Sequence, residues 1–253
     1  MATLPIIQFT DEDIEKLQYV YFESGSESFI INYTHDEVLK LFRKDFGQSI
    51  LTPEQIENVR RNKQAKIEAY AKKNLKNPIT INYEAFANKR LVGYTLKKAP
   101  GRKMHHASEL DIRSRIDILK RARDIVLDFH ENGIIHGDIK MDNVYFEPRL
   151  GVSFLDLDNM KVGDNKADFV NTYVEDYLSK HGTFDETIDA YMFNLMTLEV
   201  LDRVPFGTPL LAHLQKADQL PRYRSSQATE IIHDMQKPHP KVKEKYLIDY
   251  IKK

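Results

Sequence analysis

The chain has 253 residues, 42% hydrophobic and 30% charged, which suits one large domain or two small lobes with a substantial core and excludes a disordered tail protein. Lysine plus arginine number 37 against 38 acids, a net charge of -1, so no global field draws the chain to nucleic acid or to an anionic membrane. Cysteine is absent, which excludes disulfides, thiolate metal sites and a cysteine nucleophile; no apolar run approaches the roughly 18 residues that cross a bilayer; and the opening Met-Ala-Thr-Leu-Pro lacks a signal-peptide pattern, so a cytoplasmic location is expected.

In chain order, Tyr19–Glu23 and Ser28–Tyr33 read as two strands joined by the polar turn Ser24-Gly25-Ser26-Glu27. Glu37–Phe42 is a third strand, with Val38, Lys40 and Phe42 on one face and Leu39 and Leu41 on the other. Thr52 offers a helix N-cap, Pro53 suits the first helical position, and Gln55 sits where a capping-box partner belongs. That helix is expected to reach about Asn74, with Ile56, Val59, Ile67 and Tyr70 near one stripe, and Asn77-Pro78 ends it. Its basic residues, Arg60, Arg61, Lys63, Lys66, Lys72, Lys73 and Lys76, read as a solvated face. Ile79–Phe86 and Arg90–Leu96 form a further strand pair turning at Asn88, and Pro100-Gly101 is a strong breaker.

Beyond that breaker the pattern becomes helical. Leu110–Asn132 is a long amphipathic helix with Ile112, Ile116, Leu119, Val126 and Phe129 inward and Gly133 just past its end. Three short apolar segments follow, Ile134-Ile135, Val144–Phe146 and Val152–Leu155, and then a very apolar helix over Ile188–Leu201. From Pro205 onward the chain reads as helix and loop. The expected class is α+β in two lobes, residues 1–98 and 99–253, with the joint near Lys97–Gly101.

The chemistry concentrates in His136-Gly137-Asp138-Ile139-Lys140-Met141-Asp142-Asn143, followed by Phe154-Leu155-Asp156-Leu157-Asp158. A simple turn needs Gly, Asn or Asp for its backbone but no lysine between two carboxylates. Asp138 can accept a proton, and Lys140, Asn143 and Asp156 can converge on the same point. Asn and Asp oxygens suit a hard cation such as magnesium, which completes its shell with water and phosphate oxygens. His105-His106 lack a third ligand nearby and read as exposed.

These residues resemble the protein-kinase superfamily, in which an Asp followed five positions later by an Asn precedes a metal-binding Asp. The resemblance implies a bilobal fold, with an antiparallel-sheet N-lobe bearing one helix and a mainly helical C-lobe. It implies Asp138 as catalytic base, Asn143 and Asp156 as magnesium ligands, and Lys140 as a contact to the γ-phosphate. Lys40 matches the phosphate-binding lysine, with Lys44 a weaker rival, and Glu68 its partner on the following helix. Val38 would touch adenine, Leu96 would be the gatekeeper, Lys97-Lys98-Ala99 the hinge, and Gly25 and Ser26 the phosphate-covering turn. Asp189 resembles the buried Asp beneath the catalytic loop, and His136 a structural histidine there.

The chain departs from the family pattern at four places. One glycine remains in Ser24–Ser28, and Glu27 would repel a triphosphate unless it points out. Gly137 replaces an Arg that pairs with a phosphorylated activation loop, which implies activity without such phosphorylation; Thr172, Tyr173 and Tyr177 then read as surface residues. Asp156-Leu157-Asp158 stands for Asp-Phe-Gly, and no Ala-Pro-Glu precedes Asp189. The implied activity is ATP- and magnesium-dependent transfer of the γ-phosphoryl to a hydroxyl, with a protein serine or threonine as acceptor. A small-molecule hydroxyl kinase of the aminoglycoside or choline type and a nucleotide-binding pseudokinase are the alternatives. ATP and a protein substrate are the expected partners.

Overall fold

The computed structural model describes residues 4–17, 21, 23–24, 27–44, 46, 51–149, 151–165, 184–202, 217, 220–237 and 245–251. Gly25, Ser26, Thr172, Tyr173 and Tyr177 lie outside the described residues, as does most of the chain between Pro205 and Leu220.

The architecture is α+β. A six-stranded sheet runs β1 (Ile6–Phe9), β5 (Ile81–Ala87), β6 (Arg90–Lys97), β4 (Glu37–Phe42), β3 (Ser28–Asn32) and β2 (Glu23–Ser24) in spatial order. β1 is parallel to β5 and every other pair is antiparallel. The β5–β6 hairpin turns through Asn88 and Lys89, both at positive φ, which Asn tolerates through its short polar side chain. The alternation read in β4 holds. Val38 and Phe42 join the main core, whereas Leu39 and Leu41 join a smaller cluster on the opposite face. That second face is covered by α1 (Asp11–Leu17) through Ile14 and Leu17. β1 and α1 are therefore additions to the expected single-helix arrangement. Among the described residues Glu23 and Ser24 of β2 pair with β3, and most of the expected Tyr19–Glu23 strand lies outside the described residues.

α2 (Pro53–Ala71) begins with the expected capping box: Gln55 N–H donates to the Thr52 hydroxyl and Thr52 N–H donates to the Gln55 side chain. It ends at Ala71, three residues before the expected Asn74. Its solvated basic face is a misreading at two positions: Lys63 and Lys66 are both 0% exposed. Asn77, just beyond, exchanges two 3.0 Å hydrogen bonds with the backbone of Phe154 and so ties the end of this segment to the second half of the chain.

That half is built on α3 (Ile112–Glu131), capped by Asp111, and α4 (Glu186–Asp202). α4 is buried on nearly every face, as an all-round apolar helix must be. Ile112, expected inward, is 42% exposed in the first turn of α3. A three-stranded sheet orders β10 (Gly151–Phe154), β9 (Val144–Glu147) and β7 (Arg102–Lys103), and β8 (Ile134–Ile135) pairs with β11 (Lys161–Val162). Gly101, at φ +82, allows β7 to approach β9: a Cβ there would meet the Phe146 carbonyl oxygen at 2.0 Å. α5 (Ser226–Met235) and a 3-10 turn over Leu247–Tyr250 pack on the same core. Among the described residues no helix is long and apolar enough to cross a membrane.

Candidate functional site

Two loops meet where the large sheet faces the helical half. The first is His136–Asn143, between β8 and β9. Its backbone is held from beneath by Asp189 of α4, whose two carboxylate oxygens accept from His136 N–H at 2.8 Å and Gly137 N–H at 2.7 Å. His130 of α3 bonds the same carboxylate at 3.0 Å. Asp189 is 0% exposed, so its charge is carried by these partners instead of water. Gly137 sits at φ +72, and a Cβ there would lie 2.3 Å from Cζ of Phe184, so both conformation and space select glycine. His136 is buried. Its Nδ1 accepts from Asp138 N–H and its Nε2 bonds the Leu155 carbonyl at 2.9 Å, linking this loop to the next. The structural role expected of His136 and of Asp189 matches these contacts.

On the open side of that loop, Asp138 Oδ2 accepts from Lys140 Nζ at 2.6 Å and from Asn143 Nδ2 at 2.7 Å. Asn143 Nδ2 also reaches the Asp138 carbonyl at 2.9 Å, which fixes the amide's orientation. The Asn143 Oδ1 consequently faces away from Asp138 and has no protein donor among the described residues. Lys140 is about half exposed, so it is held by a flexible surface contact.

The second loop follows β10. Leu155 N–H donates to the Asn143 carbonyl at 2.9 Å, which brings Asp156 beside the first loop. Asp156 adopts φ +63, a left-handed conformation that Asp tolerates better than most residues. Its Oδ1 pairs with Lys40 Nζ of β4 at 2.5 Å, and its Oδ2 accepts from Asn159 at 3.0 Å. Lys40 also pairs with Asp158 Oδ1 at 2.5 Å. Burial opposes the charge on Lys40, but Asp156 and Asp158 outweigh it and hold the ammonium well above its usual range. Burial likewise opposes ionisation of Asp158, and Lys40 and Lys63 override it, so its carboxyl stays ionised far below the ordinary carboxylate range.

The expected partnership of Lys40 with Glu68 is not what the fold builds. Glu68 bonds Gln64 at 3.1 Å and lies 3.9 Å from Lys72, both on its own helix. The helix residue that joins the cluster around Lys40 is Lys63, five positions earlier. Its Nζ pairs with Asp158 Oδ2 at 2.7 Å, donates to Asn159 Oδ1 at 2.6 Å, and lies 3.3 Å from Glu27 Oε2. Tyr94 of β6 closes the group, its hydroxyl 2.6 Å from Asp158 Oδ1. Glu27 thus points inward to a lysine, and burial still raises its carboxyl above the ordinary range, with Lys63 opposing that shift only in part. Sequence reading missed Lys63, Asp158 and Tyr94 as members of the site. The one available signal was Asp158 itself, a carboxylate two positions after Asp156.

Of the remaining expected residues, Lys44 is exposed, with its carbonyl accepting from Arg60 at 3.2 Å. Val38 and Leu96 are cross-strand partners, both buried, on the same side of the sheet as Lys40. Lys97 is exposed and Ala99 half-buried where the chain leaves β6. His105 and His106 are partly exposed in a 3-10 turn, with His106 bonded to Glu109.

Among the described residues no three His, Cys, Asp or Glu side chains gather as a metal site. The residues here that could hold magnesium, which keeps several waters and takes phosphate oxygens for the rest, are Asn143, whose Oδ1 has no protein donor among the described residues, and Asp156, whose oxygens bond Lys40 and Asn159. Comparison with protein-family models and with curated proteins finds no match to this chain.

Proposed function

We propose that the chain is a kinase-like phosphotransferase that moves the γ-phosphoryl of ATP to a hydroxyl. One observation carries the reading. A buried lysine on the sheet, Lys40, meets Asp156 at 2.5 Å beside a loop where Asp138, Lys140 and Asn143 are mutually hydrogen-bonded. An isolated ion pair would not need an amide held with its oxygen turned outward, nor a second lysine on the neighbouring carboxylate.

In this reading the large sheet with α2 is one lobe, the α3–α4 half is the other, and ATP lies between them against Val38, Leu96 and Ala99. Lys40 steadies the α- and β-phosphates. Asn143 and Asp156 would hold magnesium, which when bound neutralises phosphate charge. Asp138 orients the acceptor hydroxyl and receives its proton, and Lys140 offsets charge on the phosphoryl in transit. Positioning and charge neutralisation supply nearly all of the rate enhancement in such transfers. Lys140 favours serine or threonine of a protein as acceptor. Gly137, tightly packed against Phe184, leaves no room for a loop arginine, which supports activity without activation-loop phosphorylation.

The test is incubation with γ-labelled ATP and magnesium, the chain alone, generic protein substrates, and a panel of small alcohols including aminoglycosides and choline. Label on protein hydroxyls supports the reading. Label only on a small alcohol moves the acceptor to the small-molecule class, and nucleotide binding without transfer leaves a binding module.

A further inference from the structure

The cluster around Lys63 is larger than anchoring one lysine requires. Two cations, Lys40 and Lys63, sandwich one fully buried carboxylate, Asp158, and each takes a different oxygen of it. Tyr94 supplies a third contact from β6. Three elements, β4, α2 and β6, therefore converge on a single side chain carried by the loop after β10.

Resting on the phosphotransferase reading above, we infer that Asp158, held by Lys63, is the positioning carboxylate for the phosphate-binding Lys40. The work that a helix carboxylate such as Glu68 would do is done from the loop after Asp156, and α2 contributes the opposite charge. Lys40 needs such a partner because Asp156 alone has two claims on it. If Asp156 turns to magnesium, the lysine loses that bond. Asp158, 0% exposed and fixed by Lys63 and Tyr94, remains to keep the ammonium in place. The same ion pair pins α2 to the loop, with Lys63 also reaching Glu27 at the entrance to β3. Moving the helix outward would take Lys63 off Asp158 and break a buried ion pair, which is costly, so the pair favours α2 staying against the loop.

Direct binding and transfer separate this assignment from the reading it rests on. Magnesium-dependent binding of a fluorescent ATP analogue is measured for the full chain and its variants, beside γ-phosphoryl transfer, with circular dichroism reporting the fold. Asp158→Asn keeps the shape and loses the charge; it is expected to weaken nucleotide binding about tenfold or more while remaining folded. Lys63→Glu alone, which crowds acids around Lys40, is expected to lose binding to a similar degree. The double variant Lys63→Glu with Asp158→Gly returns one carboxylate to Lys40 from the helix and is expected to recover about tenfold over Lys63→Glu. The inverted pair Lys63→Asp with Asp158→Lys keeps an ion pair but puts a cation beside Lys40; it is expected to stay inactive, which a purely structural role would not produce. Folded Asp158→Asn with unchanged affinity and transfer, or no recovery in the folded double variant, overturns the assignment alone. No nucleotide binding by the unaltered chain overturns the phosphotransferase reading together with it.

Discussion

Lys63 of α2 and Asp158, 95 residues further along the chain, form an ion pair at 2.7 Å with neither side chain exposed. Two charges taken out of water are costly, and their attraction repays that only with good geometry and further hydrogen bonds. Here Asp158 also accepts from Lys40 and Tyr94, so the buried charge is well compensated. Removing one member exposes the others' cost. Lys63→Met is expected to destabilise the fold by about 3 kcal/mol or more, read by urea unfolding of the ligand-free chain. A change within about 0.5 kcal/mol, the range of ordinary surface substitutions, would show that the pair is not closed in solution.

The lysine assignment separates Lys40 from its weaker rival Lys44 and from Glu68, its expected partner. Lys40→Met is expected to lower transfer by about a hundredfold or more, because the cation that the phosphotransferase proposal sets against the phosphates is removed. Lys44→Met and Glu68→Gln, which lie outside the cluster, are expected to stay within about twofold of the parent rate. Initial rates of label transfer at saturating ATP decide it; a large loss in Glu68→Gln would return the partnership to the helix.

Gly137 carries two demands at once, a left-handed backbone and a ring packed where a side chain would begin. Gly137→Ala is expected to cost about 2 kcal/mol or more, combining backbone strain with displacement of Phe184. Denaturant midpoints measure this. Asp189→Ala, which orphans two buried N–H groups at once, is expected to cost at least as much.

Glu84 of β5 gives a pH signature. It is 3% exposed and its Oε1 has no hydrogen-bond partner among the described residues. Burial, reinforced by Glu68 and opposed by Lys72, pushes its carboxyl up from the ordinary 4.5 to about 7. The folded state therefore holds this proton more tightly than the unfolded chain does. That contribution is fully present below about pH 4.5 and is lost as pH rises through about 7. Glu84→Gln is expected to be more stable than the parent at pH 8, by on the order of 2 kcal/mol, with the difference shrinking toward pH 5. Thermal unfolding of both proteins across that range checks the sign; a gap that widens at low pH would contradict it.

Phosphorylation supplies a further test. With Gly137 in the loop, phosphatase-treated protein is expected to keep its transfer rate within about twofold. A large drop after dephosphorylation, read against a mock-treated sample, would show that another group couples the site to a phosphoresidue.

Local signals in this sequence were legible, and long-range ones were not. The Thr52–Gln55 capping box and the two faces of Glu37–Phe42 depend on residues within one turn or one strand, and both hold. The Asp138–Asn143 pairing spans five residues and was equally readable. Lys63 and Lys66 looked solvated because their neighbours on α2 are basic. Burial of Lys63 depends on Asp158, and nothing near residue 63 announces it. Glu68 matches the family pattern by its place along the helix, and that place does not say which way a side chain faces. β1 was overlooked because four residues pairing in parallel with β5 leave too short an alternation to notice.

In the proposed phosphotransferase reading, Asp138 is the group that receives the acceptor's proton. Its most direct test is the rate of γ-phosphoryl transfer from magnesium–ATP in the parent chain and in Asp138→Asn, with nucleotide affinity measured on both. Loss of transfer by about a hundredfold or more with affinity retained is the predicted result. Equal transfer rates in the two proteins would contradict it.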